Sequence, residues 1–390
     1  MSNPVIVQMF DQPFRRVQAS LARLHKLGFT HVLVSPPQKS NGSRSWWARY
    51  QPVDYRVIEG PLGDRDGLQD LCRAAGRLGL AIMVDAVLNH MSNEPTYVHA
   101  PRGRIAHARF PRFGANDFHE RLSTSHGGGR GLPQLRSQSP WVRDELRAYL
   151  RMLFHLGVRG FRFDAAKHIE PDFFAYVLDG LPAMLCFGEL VHPDAGSFDS
   201  AYFKSMKAWD FPLAHSLKVA FAPGGDLGRL VNPSDRGEAL WGPLAVTFVN
   251  NHDLIKNRRR FGFFRVENLR DRQLAHVYLL ARQDGIPCVY AGDLRDALVR
   301  AGLEFRRLTG GQPTRWVHAG HNELMWARGP GLLAAINKSG SPWTPGPVPC
   351  GLTPGPYRDL LGRAKHTVDE RGRWLQCGVP ARGAVLLARG

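Results

Sequence analysis

Short apolar runs alternate with longer stretches of helical period over the first three hundred or so residues. VIVQM at 5–9 predicts a strand. After it, Phe14, Val17, Leu21, Leu24 and Leu27 fall at helical spacing, and Gly28 closes that helix. Residues 31–35 predict a second strand, 68–78 a helix, and 80–84 a third strand running into Asp85. Further helices are expected at 141–156 and 273–282, and further strands at 161–163, 184–187, 246–249 and 287–290. Acids follow four of these strands: Asp85, Asp164, Glu189 and Asp253.

Repeated strand–helix units imply a parallel sheet. About eight such units suit a closed (β/α)8 TIM barrel better than an open doubly wound sheet. No GxGxxG follows the first strand, which argues against a dinucleotide fold. The polar segment 91–139, rich in Gly, His and Arg, reads as a short inserted domain after strand three, with Gly127-Gly128-Gly129 as a loop signal. The barrel then occupies 1–90 and 140–315. From 316 to 390 short alternating runs are separated by Gly and Pro, which predicts a C-terminal antiparallel β domain with a loop at 342–356.

Composition narrows the function classes. No apolar stretch approaches the roughly 18 residues of a membrane helix, and MSNPVIVQMFDQPFRR lacks the basic and apolar regions of a signal peptide. A cytoplasmic monomer is expected. Five scattered cysteines without CxxC spacing argue against a disulfide framework and against zinc. The net charge of +17 raises the question of a polyanionic partner. Only Arg258-Arg259-Arg260 forms a tight basic run, and no nucleic-acid-binding motif accompanies it. Nucleic acid is therefore not expected as a partner, and neither is a membrane.

In a (β/α)8 barrel the strand ends share one mouth, where active sites lie. One acid after a strand is often a helix cap; four on strongly apolar strands form a catalytic candidate. Carboxylates gathered there repel, so some of their pKa values rise, giving the acid and ionised partner that glycosidases need.

The surrounding residues resemble the α-amylase superfamily, glycoside hydrolase family 13. GFRFDAAKH (160–168) is similar to its nucleophile segment, DAVLNH (85–90) to its third-strand segment, FGEL (187–190) to its acid/base segment and FVNNHD (248–253) to its seventh-strand segment. YQPVDY (50–55) and GFTHVLVSPP (28–37) resemble the loop after strand two and the strand before it. All occur in family order. The resemblance implies Asp164 as nucleophile, Glu189 as acid/base and Asp253 as stabiliser of the distorted sugar. It implies that Arg162 keeps Asp164 ionised and that Asp85, His90 and His252 serve the sugar in the reacting subsite. Tyr50 would stack on that sugar, and Lys167 and His168 would line the leaving-group side. Trp46 and Trp47 adjoin Tyr50; with neighbours pointing apart, one of them, assigned as Trp47, is expected to face the cleft. Lys167-His168 favours an α-amylase acting with retention on α-1,4-glucosidic bonds of starch, glycogen or maltooligosaccharides. A transglycosylase, maltogenic enzyme or α-glucosidase on the same scaffold is the alternative, and a non-catalytic glycan-binding relative the alternative of another class.

The chemistry requires no cofactor, but the resemblance allows a structural Ca2+ held by Asn89 and the backbone carbonyl of His168. The family's Leu-Pro-Asp-Leu stretch reads Leu132-Pro133-Gln134-Leu135 here, so the charged ligand is missing, with Asp117 or Glu120 as candidate substitutes. A chloride site would use Arg162 and Asn251. Strand eight offers Cys288 rather than a basic residue, so no chloride dependence is expected.

Overall fold

The computed structural model describes residues 4–123, 131–362 and 365–390. Gly127-Gly128-Gly129 lie outside the described residues. Eight parallel strands close a barrel in sequential order: β1 (Ile6–Met9), β2 (His31–Val34), β3 (Ala81–Val87), β4 (Gly160–Asp164), β5 (Leu185–Gly188), β6 (Lys207–Trp209), β7 (Ala245–Thr247) and β8 (Ile286–Tyr290). Period-2 alternation sorts their side chains. Ile6, Leu33, Met83, Phe187, Val246 and Cys288 point inwards and pack with Trp209. Val7, Val32, Val34, Ile82, Val84, Phe161 and Phe163 point outwards to the helices. Helix Phe14–Lys26 buries Phe14, Val17, Leu21 and Leu24 against that outer layer. Helix Arg65–Arg77 starts at Asp64, whose carboxylate accepts the Gly67 N–H at 2.8 Å.

Most strand ends shift by a residue or so from the sequence reading, and three larger differences bear on the site. β3 continues through Asp85 to Val87, so Asp85 sits within the strand, not past its end. Its charge is tolerated there because Arg162 is its direct cross-strand partner. β7 spans Ala245–Thr247, so Phe248 and Val249 already belong to the loop carrying Asp253. β6 and the following helix Phe211–Phe221 have no counterpart in that reading; a three-residue strand is too short to show alternation.

Small antiparallel pairs occupy the segment between β3 and β4: Val98–His99 with His107–Ala108, and Phe118–Ser123 with Leu132–Leu135. The C-terminal part is an antiparallel sheet that starts at Thr314. Along its strand Glu323–Arg328, Leu324 and Trp326 face the barrel helices, while Met325 and Ala327 face a separate core around Trp374. The Trp326 indole N–H donates to the Ala281 carbonyl at 3.1 Å, fastening the sheet to helix Leu269–Ala281. No described helix is long and apolar enough to cross a membrane.

Candidate active site

The centre of the barrel mouth is one fully buried guanidinium. Arg162 Nη1 donates to Asp85 Oδ1 and to Asp164 Oδ1, both at 2.7 Å, and Nη2 lies 3.0 Å from Glu189 Oε2. Its Cζ stands 4.6 Å from the Trp209 ring centroid. Burial works against this cation, but Asp85, Glu189 and Asp164 together raise its pKa well above the usual value, so it stays charged. Strand geometry brings the group together. Arg162 and Asp164 are two residues apart on one face of β4, with Asp85 beside Arg162 on β3. Glu189 follows Gly188, where a Cβ would come within 2.8 Å of Met206 and 3.0 Å of Ala166. A side chain there would press on the turn after Asp164 and displace the Met206 tip. Ala165, in that turn, has φ 49° and donates its backbone N–H to Glu189 Oε2 at 2.9 Å. A left-handed alanine is costly, and here it ties the Asp164 turn to Glu189.

One guanidinium among four carboxylates leaves excess negative charge, and the acids respond. Burial pushes Asp85 up to about 7, with Arg162 pulling back and Asp164 adding to the rise. Asp253 is raised well above the ordinary range by burial, then by Glu189, against the opposing pull of Arg162. For Asp85 the folded pKa exceeds the unfolded one, so the folded state binds the extra proton between pH 4 and 7. Its contribution to stability therefore falls as pH rises through that window. Asp85→Asn removes this dependence. Its stability relative to wild type should improve from pH 4 to 7, by at most about 4 kcal/mol. Parallel denaturation midpoints across that range would contradict the assignment.

The second half of the site is built on His252. Gln8, on β1, accepts the His252 backbone N–H through Oε1 at 3.2 Å, which turns its Nε2 towards His252 Nδ1 at 2.9 Å. Burial pushes the imidazole well below its ordinary pKa, with Arg162 adding to the fall. A neutral ring accepting at Nδ1 carries its proton on Nε2, which lies 3.4 Å from Asp253 Oδ2. Asn257 Nδ2 donates to Asp253 Oδ1 at 3.1 Å. Tyr50 stacks on His252 with centroids 5.3 Å apart, and its hydroxyl donates to Asp85 Oδ2 at 2.8 Å. His90 Nε2 lies 2.9 Å from the Tyr50 carbonyl.

A cavity of about 800 Å³ opens over this cluster. Asp164, Glu189 and Asp253 all reach it, with Tyr50, Lys167, His168, His252 and Trp47. Asp85, His90 and Arg162 lie beneath the lining, where they hold Tyr50 and Asp164 in place. Trp46 lines the cavity as well as Trp47, against the expectation that only one would. The segment is a 3-10 helix, Trp46–Tyr50, in which neighbours are about 120° apart rather than opposed. Lys256 and Arg258–Arg260 form part of the rim. Sequence reasoning missed Gln8, Asn257 and Trp209. Gln8 did carry a signal, as the polar residue at an inward position of an apolar strand.

The implied calcium ligands do not form a cation site. Asn89 Oδ1 and the His168 carbonyl, which would face the ion, both accept from the Gln134 amide nitrogen, at 3.1 and 3.3 Å. Asp117 is engaged by the Gly114 N–H, and Glu120 pairs with Arg104 at the surface. Among the described residues no group of three or more His, Cys, Asp or Glu is placed to hold a metal. Of the two chloride candidates, Asn251 caps helix His252–Lys256 and Arg162 is engaged by three carboxylates.

Comparison with known proteins gives this arrangement its lineage. The family profile described as the α-amylase catalytic domain matches residues 15–119. An α-amylase of Aeromonas hydrophila is 31% identical over 450 aligned residues, covering 98% of this chain and 95% of the relative. One from Thermomonospora curvata is 28% identical, covering 98% of this chain and 73% of the relative. Among solved structures, α-amylase I of Eisenia fetida superposes with a TM-score of 0.85 at 21% identity, covering 100% of this chain and 98% of that one. A variant of that Eisenia fetida enzyme was solved in complex with maltohexaose. A barrel with carboxylates clustered at its mouth, joined to a C-terminal β-sheet, thus coincides with a relative similar over nearly the whole of both chains, and the chain belongs to the α-amylase family of glycoside hydrolases.

Proposed function

We propose that the protein hydrolyses α-1,4-glucosidic bonds of starch, glycogen or maltooligosaccharides with retention, through a glycosyl ester on Asp164. The observation that carries this reading is the sharing of one buried guanidinium by Asp164 and Glu189. Two carboxylates held on the two prongs of Arg162 suit the close spacing of a retaining pair, about 5–5.5 Å, better than the wider gap that admits water in an inverting one. Asp164 Oδ2 attacks the anomeric carbon as Glu189 gives its proton to the departing glucosidic oxygen. Glu189 then takes a proton from water, which attacks the same carbon and releases Asp164. Asp253, with Asn257 Nδ2 on one carboxyl oxygen and His252 Nε2 beside the other, hydrogen-bonds sugar hydroxyls and stabilises the distorted sugar. Trp46, Trp47 and Tyr50 offer ring faces and edges along the cavity for pyranose stacking. The maltohexaose complex of the Eisenia fetida α-amylase supports the substrate class.

Digestion of maltoheptaose followed by NMR tests the reading. Shorter α-configured maltooligosaccharides should appear first and mutarotate later. Initial β-anomers would refute retention, and products longer than the substrate would replace hydrolysis by transglycosylation.

A further inference from the structure

The place where the resemblance puts a calcium ion is spanned by a side chain. Two oxygens would face the metal, Asn89 Oδ1 at the end of the third-strand segment and the carbonyl of His168 in the turn after Asp164. Each accepts a hydrogen bond from Gln134 Nε2, at 3.1 and 3.3 Å. An amide nitrogen has two hydrogens, so one group serves both acceptors. The backbone fixes it there. His90 and Gln134 form an antiparallel bridge, flanked by Leu135 N–H to the Asn89 carbonyl and Met91 N–H to the Pro133 carbonyl, both at 2.9 Å.

We infer that Gln134 takes the structural role of a cation in this chain, tying the inserted segment, the end of β3 and the Asp164 turn together, and that the fold is independent of calcium. The charge balance points the same way. Calcium binding depends on oxygen ligands and on their charge, and this set, two amides and a carbonyl, is neutral. The amide and a cation also compete for the same two oxygens. To admit the ion, Gln134 would have to rotate its oxygen inwards and give up both hydrogen bonds. Removing the donors leaves Asn89, which is buried, with an unsatisfied oxygen. The tie also reaches the reaction centre. The carbonyl it holds belongs to the turn in which left-handed Ala165 donates to Glu189 and from which Lys167 and His168 line the cavity.

Thermal melting and calcium titration calorimetry test this on the full chain after chelator treatment. The wild type should melt within about 1 °C of the same temperature in millimolar calcium and in chelator, with no binding heat. Gln134→Ala should melt about 2–6 °C lower in both buffers. Gln134→Asp replaces the donor with a charged acceptor facing two others. It should be the least stable variant in chelator and regain several degrees in calcium, with measurable binding heat. A calcium-dependent melting temperature or stoichiometric calcium in the wild type would overturn the inference. So would an unchanged melting temperature for Gln134→Ala, or a Gln134→Asp protein indifferent to calcium.

Discussion

Asp164→Asn should lower kcat on maltoheptaose by about 10⁴-fold or more while leaving the fold intact, because the amide cannot form the glycosyl ester. Stability should not fall with it. Asp164 is one of several carboxylates around a single guanidinium, so neutralising it relieves repulsion while the amide oxygen can still accept from Arg162. The variant is therefore expected to melt at or above the wild-type temperature, the usual trade between stability and activity at a charged site. Glu189→Gln separates the second role from the first. It should lose about 10²–10⁴-fold on oligosaccharides, whose leaving oxygen needs a proton. On α-maltosyl fluoride, whose leaving group needs none, it should still show a rapid burst of fluoride, followed by a slow phase because no base activates water. Circular dichroism and melting curves establish the fold, and fluoride release and product analysis establish the roles. Wild-type turnover in Asp164→Asn, or the fluoride burst in Asp164→Asn rather than in Glu189→Gln, would reverse the two assignments.

How much of this was legible in the sequence depends on how local each feature is. Most barrel strands announce themselves by apolar runs because they are covered on both faces, and the acids stand out against them. β6 does not, since Lys207–Trp209 is short and opens on a charged residue. Motifs pointed to Asp164, Glu189 and Asp253 as candidates, but not to the contacts that join them. Gln8 meets His252 across 244 positions of chain, and Arg162 meets Asp85 across 77. Periodicity reports which face a residue occupies, and it put Arg162 and Asp164 on the same one. It does not report that Glu189 joins them through Arg162, or that Asp85 and His90 end up beneath the cavity lining. Gln134 is the sharpest case. Its sequence signal was a missing charge, and the consequence, an amide spanning two oxygens, depends on a bridge between residues 90 and 134 that only the folded chain brings together.

The same wiring makes stability sensitive to Arg162. Arg162→Met keeps an unbranched apolar stem against Trp209 but leaves Asp85, Asp164 and Glu189 buried without their counter-charge. Breaking a buried pair in this way costs about 3–5 kcal/mol, because the surviving charges remain desolvated. Lysine is no substitute, since one ammonium cannot present two nitrogens to three carboxylates on different strands. The loss should depend on pH in a definite direction. Without the guanidinium, which pulls against their rise, the pKa values of Asp85 and Asp253 in the folded state rise further, and a raised acid gives stability that declines as pH increases. Arg162→Met should therefore lie closer to wild type at pH 5 than at pH 8, as read from denaturant midpoints. Adding Asp85→Asn should recover part of the deficit, since it removes one uncompensated charge and the two sites are in direct contact. A deficit that is the same at both pH values, or a double variant whose loss is the simple sum of its parts, would mean that Arg162 contributes packing rather than charge, and the electrostatic account of the site would fail with it.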